Sequence, residues 1–149
     1  MTDGRLRLLR FAIAAAALVI DQLTKAWARP ALTGRGTLWV WRPWLSLRLL
    51  YNTGAMLGVA AGHQRLIVIF SALVVVALAW GVWRVRRGGV GLALMLAGGA
   101  GNLASRLAQG RVTDFIQVSF WPGIFNFADV VLRVGVVLFV TAYVFGRGA

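Results

Sequence analysis

The chain has 149 residues, of which 60% are hydrophobic and 13% charged, with a mean hydropathy of +0.78 and a net charge of +12. Soluble domains hold about 45–50% apolar and about 25% charged residues, so this chain has too little polar surface to cover a water-soluble globule. The composition therefore predicts a membrane protein, and the absence of Cys and Glu with a single His excludes a disulfide framework, a thiolate metal site and a His-rich zinc site.

Four apolar runs, at residues 11–27, 66–83, 90–107 and 130–145, predict four transmembrane helices in a single domain, residues 1–149. A hydrocarbon layer of about 30 Å needs about 20 residues per helix, so Ala128 and Asp129 are expected to complete the short fourth run. A secretory signal peptide is the alternative for the first run. The run ends without a small-x-small cleavage site and continues through Asp21 and Lys25, which favours a span.

The distribution of arginines predicts the orientation of the spans. An even number of spans places both termini on one side, together with the basic residues at 5–10, at 84–87 and at Arg147. By the positive-inside rule this side is cytoplasmic. Basic residues in short groups between apolar runs are typical of an anionic bilayer rather than of nucleic-acid binding. The loops 28–65 and 108–129 are then expected on the outer face.

Both outer loops carry strand patterns. Leu45, Leu47 and Leu49 alternate with Ser46 and Arg48, as in a half-buried strand. The segment 111–127 is also rich in strand-forming residues and has a Trp-Pro-Gly turn in its middle. Three tryptophans of the first loop suit the headgroup level of a membrane: Trp39, Trp41 and Trp44. The predicted fold is an all-α membrane protein with four transmembrane helices and a small β-sheet on the outer (periplasmic) face.

Charged side chains beside apolar runs are expensive and need a reason. Asp114 follows the third run and Asp129 begins the fourth, so the predicted topology brings both to the same interface. Two adjacent carboxylates that share one proton can activate water and protonate a scissile carbonyl, as aspartic proteolysis requires. The structural alternative is that Asp129 caps the fourth helix and Asp114 ends a strand.

Asp21 and Lys25 are four residues apart on the first run, so they face the same side and can neutralise each other. The rival hypothesis is a Ser–Lys protease that uses Lys25. Its candidate nucleophiles are Ser46, Ser71, Ser105 and Ser119, and none lies in a nucleophile-elbow context. On the third run Asn102 and Arg106 also share a face, and an arginine there needs a carboxylate or carbonyl partner.

Five motifs follow in order along the chain: Asp21-Gln22-x-Thr24-Lys25, Asn52-x-Gly54-Ala55, Gly98-Gly99-x-x-Asn102-x-x-x-Arg106, Gly110-x-Val112-x-Asp114-Phe115-Ile116 and Phe125-Asn126-x-Ala128-Asp129. Together they resemble the type II (lipoprotein) signal peptidases, small bacterial aspartic proteases with four spans. The resemblance implies hydrolysis of the peptide bond before the diacylglyceryl-modified cysteine of a prolipoprotein, in the bacterial inner membrane near the outer leaflet.

The resemblance implies that Asp114 and Asp129 are the catalytic residues. It implies substrate-binding or supporting roles for a further set: Asn52, Gly54, Asn102, Arg106, Asn126, Ala128, Asp21 and Lys25. The family uses no metal or organic cofactor. The expected partners are the prolipoprotein signal peptide and membrane lipids, without nucleic acid, and the enzyme is expected to be monomeric.

The chain departs from the family pattern in three places. Ser105 stands before Arg106 where the family usually has an aspartate, so Arg106 is expected to find a carbonyl or Asp114 instead. Gln117 replaces a frequent acid, and residues 56–57 replace a small-aromatic pair with Met and Leu. Two alternatives remain open: a binding or transport protein whose aspartates line a polar path, and an inactive family member that binds precursors.

Overall fold

The computed structural model describes residues 3–54 and 63–146. Its elements, in chain order, are α1 (Asp3–Leu32), β1 (Leu38–Trp41), β2 (Leu45–Asn52), α2 (Gln64–Arg84), α3 (Gly89–Gln109), β3 (Val112–Val118), β4 (Ile124–Phe125) and α4 (Phe127–Val144). The prediction of a mostly helical chain with a small antiparallel sheet is confirmed. Four residues interpreted above lie outside the described ranges: Ala55, Met56, Leu57 and Arg147.

Three helices of the described residues are long and apolar enough to cross a membrane. They are α2, α3 and α4, whose most apolar windows have mean hydropathies of 2.6, 1.2 and 2.0. The 30-residue α1 is not among them, and it buries Asp21 and Lys25 within its apolar stretch. It also extends beyond the apolar run 11–27 at both ends, because its first turns are rich in arginine and leucine, which favour helix.

The central helix is α3, against which α1, α2 and α4 all pack. Small residues allow this close packing, as is usual between membrane helices. A Cβ added at Gly91 would lie 2.6 Å from the carbonyl oxygen of Gly135, so α3 and α4 touch backbone to backbone there. The buried core around these contacts consists of Ala14, Val82, Leu92, Ala93, Leu96, Ala97 and Val131.

Arg10 ties α1 to the turn between α2 and α3. Its buried guanidinium donates hydrogen bonds to the carbonyl oxygens of Val85, at 2.7 Å, and Arg86, at 2.6 Å. Carbonyls at a helix C-terminus lack partners within the helix and carry its negative dipole end, so a cation stabilises them. Gly89 gives the guanidinium its room, since a Cβ there would overlap it.

The four strands form one antiparallel sheet in the order β1-β2-β3-β4. Leu47 and Leu49 of β2 pack, together with Phe115 of β3, against the end of α1, as the strand pattern predicts. Ser46 differs from that pattern, because it is buried rather than exposed. It lies in an inner strand, where it pairs with Trp39 of β1 and Gln117 of β3.

A β-bulge in β2 sets which side chains share a face with Asp114. Leu47 pairs with Ile116 whereas Leu50 pairs with Asp114, so β2 contains one extra residue between these pairs. Because strand side chains alternate between faces, one extra residue reverses the faces of all residues after it. Asn52 therefore comes to lie on the same face as Asp114, in the diagonal position that allows side-chain contact.

The segment between β3 and α4 folds back on itself. β3 pairs with the two-residue β4 in a hairpin whose turn holds the predicted Trp121-Pro122-Gly123 sequence. α4 begins two residues after β4, so the chain returns directly from the sheet into the helical layer. This short path brings β3 and the start of α4 together at one end of the helices.

Candidate active site

Asp114 lies on β3 and is only 2% exposed. Its Oδ1 accepts a hydrogen bond from Asn126 Nδ2 at 2.6 Å, and its Oδ2 accepts one from Asn52 Nδ2 at 3.2 Å. Burial raises the pKa of Asp114 to about 6, and the charge of Asp129 adds to the rise, whereas the bonds from the two asparagines oppose it. Asp114 therefore holds a proton at higher pH than an exposed aspartate does.

Asp129 is the third residue of α4, and Asn126 is the N-cap. The two residues form a capping box, in which Asn126 Oδ1 accepts from the Asp129 amide at 3.1 Å and Asp129 Oδ2 accepts from the Asn126 amide at 3.2 Å. The other oxygen, Oδ1, accepts from Asn102 Nδ2 at 2.8 Å. A carboxylate in the first turn is also stabilised by the helix dipole. Asp129 therefore caps α4 and is fixed in orientation at the same time.

Asn126 connects the two carboxylates. Its side chain is fully buried, and its Nδ2 donates both to Asp114 and to Asn102 Oδ1, the latter at 3.2 Å. Its Oδ1 and its backbone amide hold Asp129. One side chain thus sets the relative positions of two acids that lie 15 residues apart in sequence.

A buried ion pair supports this layer from α1. Lys25 Nζ lies 2.8 Å from Asp21 Oδ2, both side chains are 1% exposed, and Nζ also donates to Asn102 Oδ1 at 2.9 Å. Asp21 Oδ1 accepts from the backbone amide of Ala128 at 2.9 Å, which links α1 to the start of α4. The described partners of Lys25 include no serine hydroxyl, so these contacts do not support the Ser–Lys hypothesis.

Arg106 reaches from α3 to the end of β2. Its Nη2 donates to the carbonyl oxygen of Gly54 at 2.9 Å, and the Gly54 amide in turn donates to Asn52 Oδ1 at 2.9 Å. Arg106 thus uses a carbonyl, one of the two partners expected from the departure at position 105. Ser105 takes no part, because its hydroxyl donates to the carbonyl oxygen of Gly101 on its own helix.

These side chains surround one cavity of about 610 Å³. Its polar lining consists of Asn52, Ser71, Asn102, Arg106, Asp114, Asn126, Asp129 and Arg133. An apolar wall comes from α2, through Leu66, Ile67 and Phe70, and Trp121 lies on the hairpin side. Among the described elements α2 and α4 both pack on α3 but not extensively on each other, so the cavity occupies the cleft between them.

Of the residues predicted from the sequence for this site, six line the cavity. Gly54, Ala128 and Lys25 contact those six by hydrogen bonds or adjoin them in the chain, and Asp21 is linked to them through Lys25 and the Ala128 amide. The sequence reasoning missed Arg133, which also lines the cavity. The signal was present, because an arginine within an apolar run is rare enough to suggest function. In the described ranges no group of three or more His, Cys, Asp or Glu side chains is placed to hold a metal ion.

Comparison with known proteins gives concordant matches. A family model described as signal peptidase (SPase) II matches residues 13–145. A lipoprotein signal peptidase of Lactococcus lactis is 35% identical over 137 residues, which cover 89% of this chain and 91% of that protein. One from Pseudomonas putida is 41% identical over 135 residues, covering 81% and 78%. A solved bacterial membrane enzyme superposes with a TM-score of 0.86 at 26% identity, covering 94% of this chain and 90% of its own.

Proposed function

The chain belongs to the signal peptidase II family, the proteases that remove signal peptides from prolipoproteins, and we propose that it cuts by an aspartic mechanism with Asp114 and Asp129. The observation that carries this proposal is the pair of carboxylates in one cavity, each held by asparagine donors. Neither a thiol nor a metal cluster of the described residues competes for the role.

The two carboxylates take different roles in the proposed reaction. Asp114 carries the shared proton in the free enzyme below about pH 6, because burial raises its pKa to that value and the charge of Asp129 adds to the rise. Asp129 acts as the base in this proposal, since it lies at the positive end of the α4 dipole and accepts hydrogen bonds from two donors. Asp129 then removes a proton from a water molecule while Asp114 donates its proton to the scissile carbonyl oxygen. When the bond to the leaving amine breaks, Asp129 gives its proton to the amine nitrogen and Asp114 takes one back from a hydroxyl of the tetrahedral intermediate, so the pair again holds one proton.

The asparagines orient the pair without supplying charge. An amide donor to each carboxylate fixes the direction of the remaining lone pairs toward the cavity. The ion pair of Asp21 and Lys25 lies behind this layer, where it holds Asn102 and the Ala128 backbone. We assign these residues to support, and Asn52, Gly54 and Arg106 to binding of the substrate backbone.

The cavity suits a lipid-modified signal peptide as substrate. The apolar wall on α2 and the cleft between α2 and α4 accept an apolar helix that approaches through the bilayer. The peptide bond that precedes the diacylglyceryl-modified cysteine would then lie beside the carboxylates. We further propose that the enzyme acts as a monomer with no metal or organic cofactor, because a single chain supplies all of the groups used above.

For the membrane arrangement we propose that four helices span the bacterial inner membrane, namely α1 in addition to α2, α3 and α4. The sheet and the cavity lie at the outer leaflet, and both termini are cytoplasmic. Arginines are denser per residue in the short segments 5–10 and 84–87 at the opposite end than in the longer outer loops, which supports this orientation. The exposed tryptophans Trp39, Trp41 and Trp44 on the sheet side support it as well.

The decisive test is cleavage of a synthetic lipopeptide in detergent. The substrate carries diacylglyceryl-cysteine, and its twin carries unmodified cysteine. The natural chain should cut only the lipidated peptide, at the bond before the cysteine, and Asp114→Asn or Asp129→Asn should abolish cutting. Asp3→Asn is the matched control, because Asp3 is exposed, pairs with Arg86 and does not line the cavity. Full activity of either cavity variant would refute the carboxylate pair.

Orientation is tested by labelling, which the cysteine-free chain makes simple. An impermeant maleimide applied to intact spheroplasts should label Arg35→Cys, in the loop between α1 and β1. It should label Arg87→Cys, in the turn between α2 and α3, only after the membrane is permeabilised. The reverse pattern contradicts the proposed orientation.

A further inference from the structure

Arg133 is a cation on the wall of the cavity that the proposed reaction does not use. It lies on α4, four residues after Asp129, which is about 6 Å further along the helix. Long helical side chains lean toward the helix N-terminus, so the guanidinium is carried back toward the level of the carboxylates. The side chain is half-buried and lines the cavity.

The guanidinium lies over two aromatic rings. Its Cζ lies 4.8 Å from the ring centroid of Trp121 and 5.4 Å from that of Phe125, both on the hairpin that covers the cavity. A cation over the face of a ring is attracted through its charge and needs no conventional hydrogen bond there, so its N–H donors stay available to another partner. Among the described residues no side-chain or backbone acceptor takes a hydrogen bond from these donors.

No carboxylate neutralises Arg133 either. All four acids of the chain lie within residues 3–54 and 63–146. The ion pairs formed there join Lys25 to Asp21 and Arg86 to Asp3. A charge on the proposed membrane-spanning helix α4 without a carboxylate partner is costly. Because Arg133 lines the cavity, an acceptor on a bound substrate could reach its donors there.

We propose that Arg133, held by Trp121, forms a subsite for the ester carbonyl oxygens of the lipid on the substrate cysteine. The inference rests on the proposed function, because it assumes the lipid-modified substrate. In that substrate the peptide carbonyls of the apolar helix accept hydrogen bonds from backbone amides of the same helix, whereas the glyceryl esters follow the cysteine sulfur by a few bonds and have no internal donors. A planar cation with several donors on its edge suits two neighbouring ester groups.

The test compares two substrates that differ only at the ester carbonyls. One peptide carries S-diacylglyceryl-cysteine, and the other carries the dialkyl ether with chains of equal length, which lacks the carbonyl oxygens. Both are cleaved in micelles of an alkyl glycoside detergent, which contains no ester. The natural chain should prefer the diester by about tenfold in kcat/KM, as expected for losing hydrogen bonds to a charged donor.

Variants assign this preference to the arginine. Arg133→Met keeps the length of the side chain but has no donors, so both peptides should be cut with equal kcat/KM. For the diester, the fall in kcat/KM should come from a higher KM, with kcat within about twofold of the natural chain, because the esters are not reacting atoms. Arg133→Lys keeps the charge without the planar fork and should show an intermediate preference. Arg111→Met is the matched control, since Arg111 also lies over an aromatic ring, that of Tyr51, but does not line the cavity.

The outcomes separate this inference from the proposed function. Equal cutting of both peptides by the natural chain overturns the ester subsite but leaves the protease intact. An undiminished preference for the diester in both Arg133 variants also overturns it, as does an equal loss on both peptides, which would indicate a structural role. Cutting of neither peptide by the natural chain refutes the proposed function itself.

Membrane lipids also carry esters, so a last experiment distinguishes the esters of bilayer lipids from those of the substrate. Added diacyl phospholipid should inhibit the natural chain only weakly, and no more than its dialkyl ether analogue does. Strong inhibition by the diacyl form alone, lost in Arg133→Met, would mean that the subsite holds a bilayer lipid instead of the substrate.

Discussion

Asn126 allows structural and functional contributions to be separated at one position. Its Oδ1 caps α4 through the Asp129 amide, while its Nδ2 donates to Asp114. Serine caps helices about as well as asparagine, but its short hydroxyl cannot also reach Asp114. Asn126→Ser therefore removes the Nδ2 contacts to Asp114 and to Asn102 Oδ1 but keeps the cap, whereas Asn126→Ala removes all three contacts.

The magnitudes follow from the lost contacts. At pH 7 Asp114, with its pKa of about 6, is mainly ionised, and a hydrogen bond to a charged group contributes about 1.5–3 kcal/mol, so Asn126→Ser should lose about 2 kcal/mol. Asn126→Ala should lose about 1 kcal/mol more, which is the typical contribution of a cap. At about 3 °C per kcal/mol for a chain of this size, the midpoints of thermal unfolding should fall by about 6 °C and about 9 °C. Loss of about 2 kcal/mol of orientation at Asp114 corresponds to about 30-fold slower cleavage in both variants.

The assay combines thermal unfolding in detergent, followed by tryptophan fluorescence, with cleavage of the lipopeptide at pH 7. The expected pattern is equal activity in the two variants and unequal stability. Asn126→Ser with the activity of the natural chain would refute the reasoning, because the bond to Asp114 would then not position the carboxylate. Equal stability of the serine and alanine variants would show that the capping contact contributes nothing.

Three further predictions concern close contacts and pH. A Cβ at Gly101 would lie 2.5 Å from Asp21 Oδ2, so Gly101→Ala should displace the α1 ion pair and slow cleavage more than tenfold. The control is Gly99→Ala, whose Cβ would meet its nearest atom at 3.5 Å and which should stay within twofold. Gly89→Ala drives a methyl group into the Arg10 guanidinium and should lower the unfolding midpoint without changing cleavage per folded molecule; an unchanged midpoint contradicts the clamp. Because the pKa of Asp114 is raised to about 6, mainly by burial, kcat/KM should fall as pH rises through about 6, when the shared proton is lost. Bound substrate excludes more water and raises this pKa further, so the alkaline limb of kcat should lie at higher pH than that of kcat/KM; coincident limbs would argue against it.

The helices and the hairpin were predictable because their signals are local. The second, third and fourth apolar runs each coincide with a helix, and residues 121–123 form a turn as their sequence indicates. Helix ends were less predictable. α1 continues well past its apolar run, since helix formation does not stop where hydrophobicity does.

Membership of the site was predictable, but the partners within it were not. Polar residues beside apolar runs can be recognised as candidates because placing them in a membrane costs free energy, and the family motifs add the asparagines. Which atom bonds which depends on the packing of distant elements, as for Lys25 Nζ and Asn102 Oδ1, 77 positions apart. Arg10 shows the same limit, because its place before the first run indicated only orientation, whereas packing buries it at the end of α2.

The contact between Asn52 and Asp114 depends on a feature that no hydrophobic pattern reveals. In a regular ladder continuing from the pair Leu47–Ile116, Asn52 would lie on the face opposite Asp114. The extra residue in β2 reverses this parity and brings the amide to the carboxylate. The leucine alternation before the bulge serves packing against α1, while the residues after it serve the cavity. In a regular strand the packing of the leucines against α1 would leave Asn52 on the face away from Asp114. The bulge in β2 allows the same strand to make both contacts.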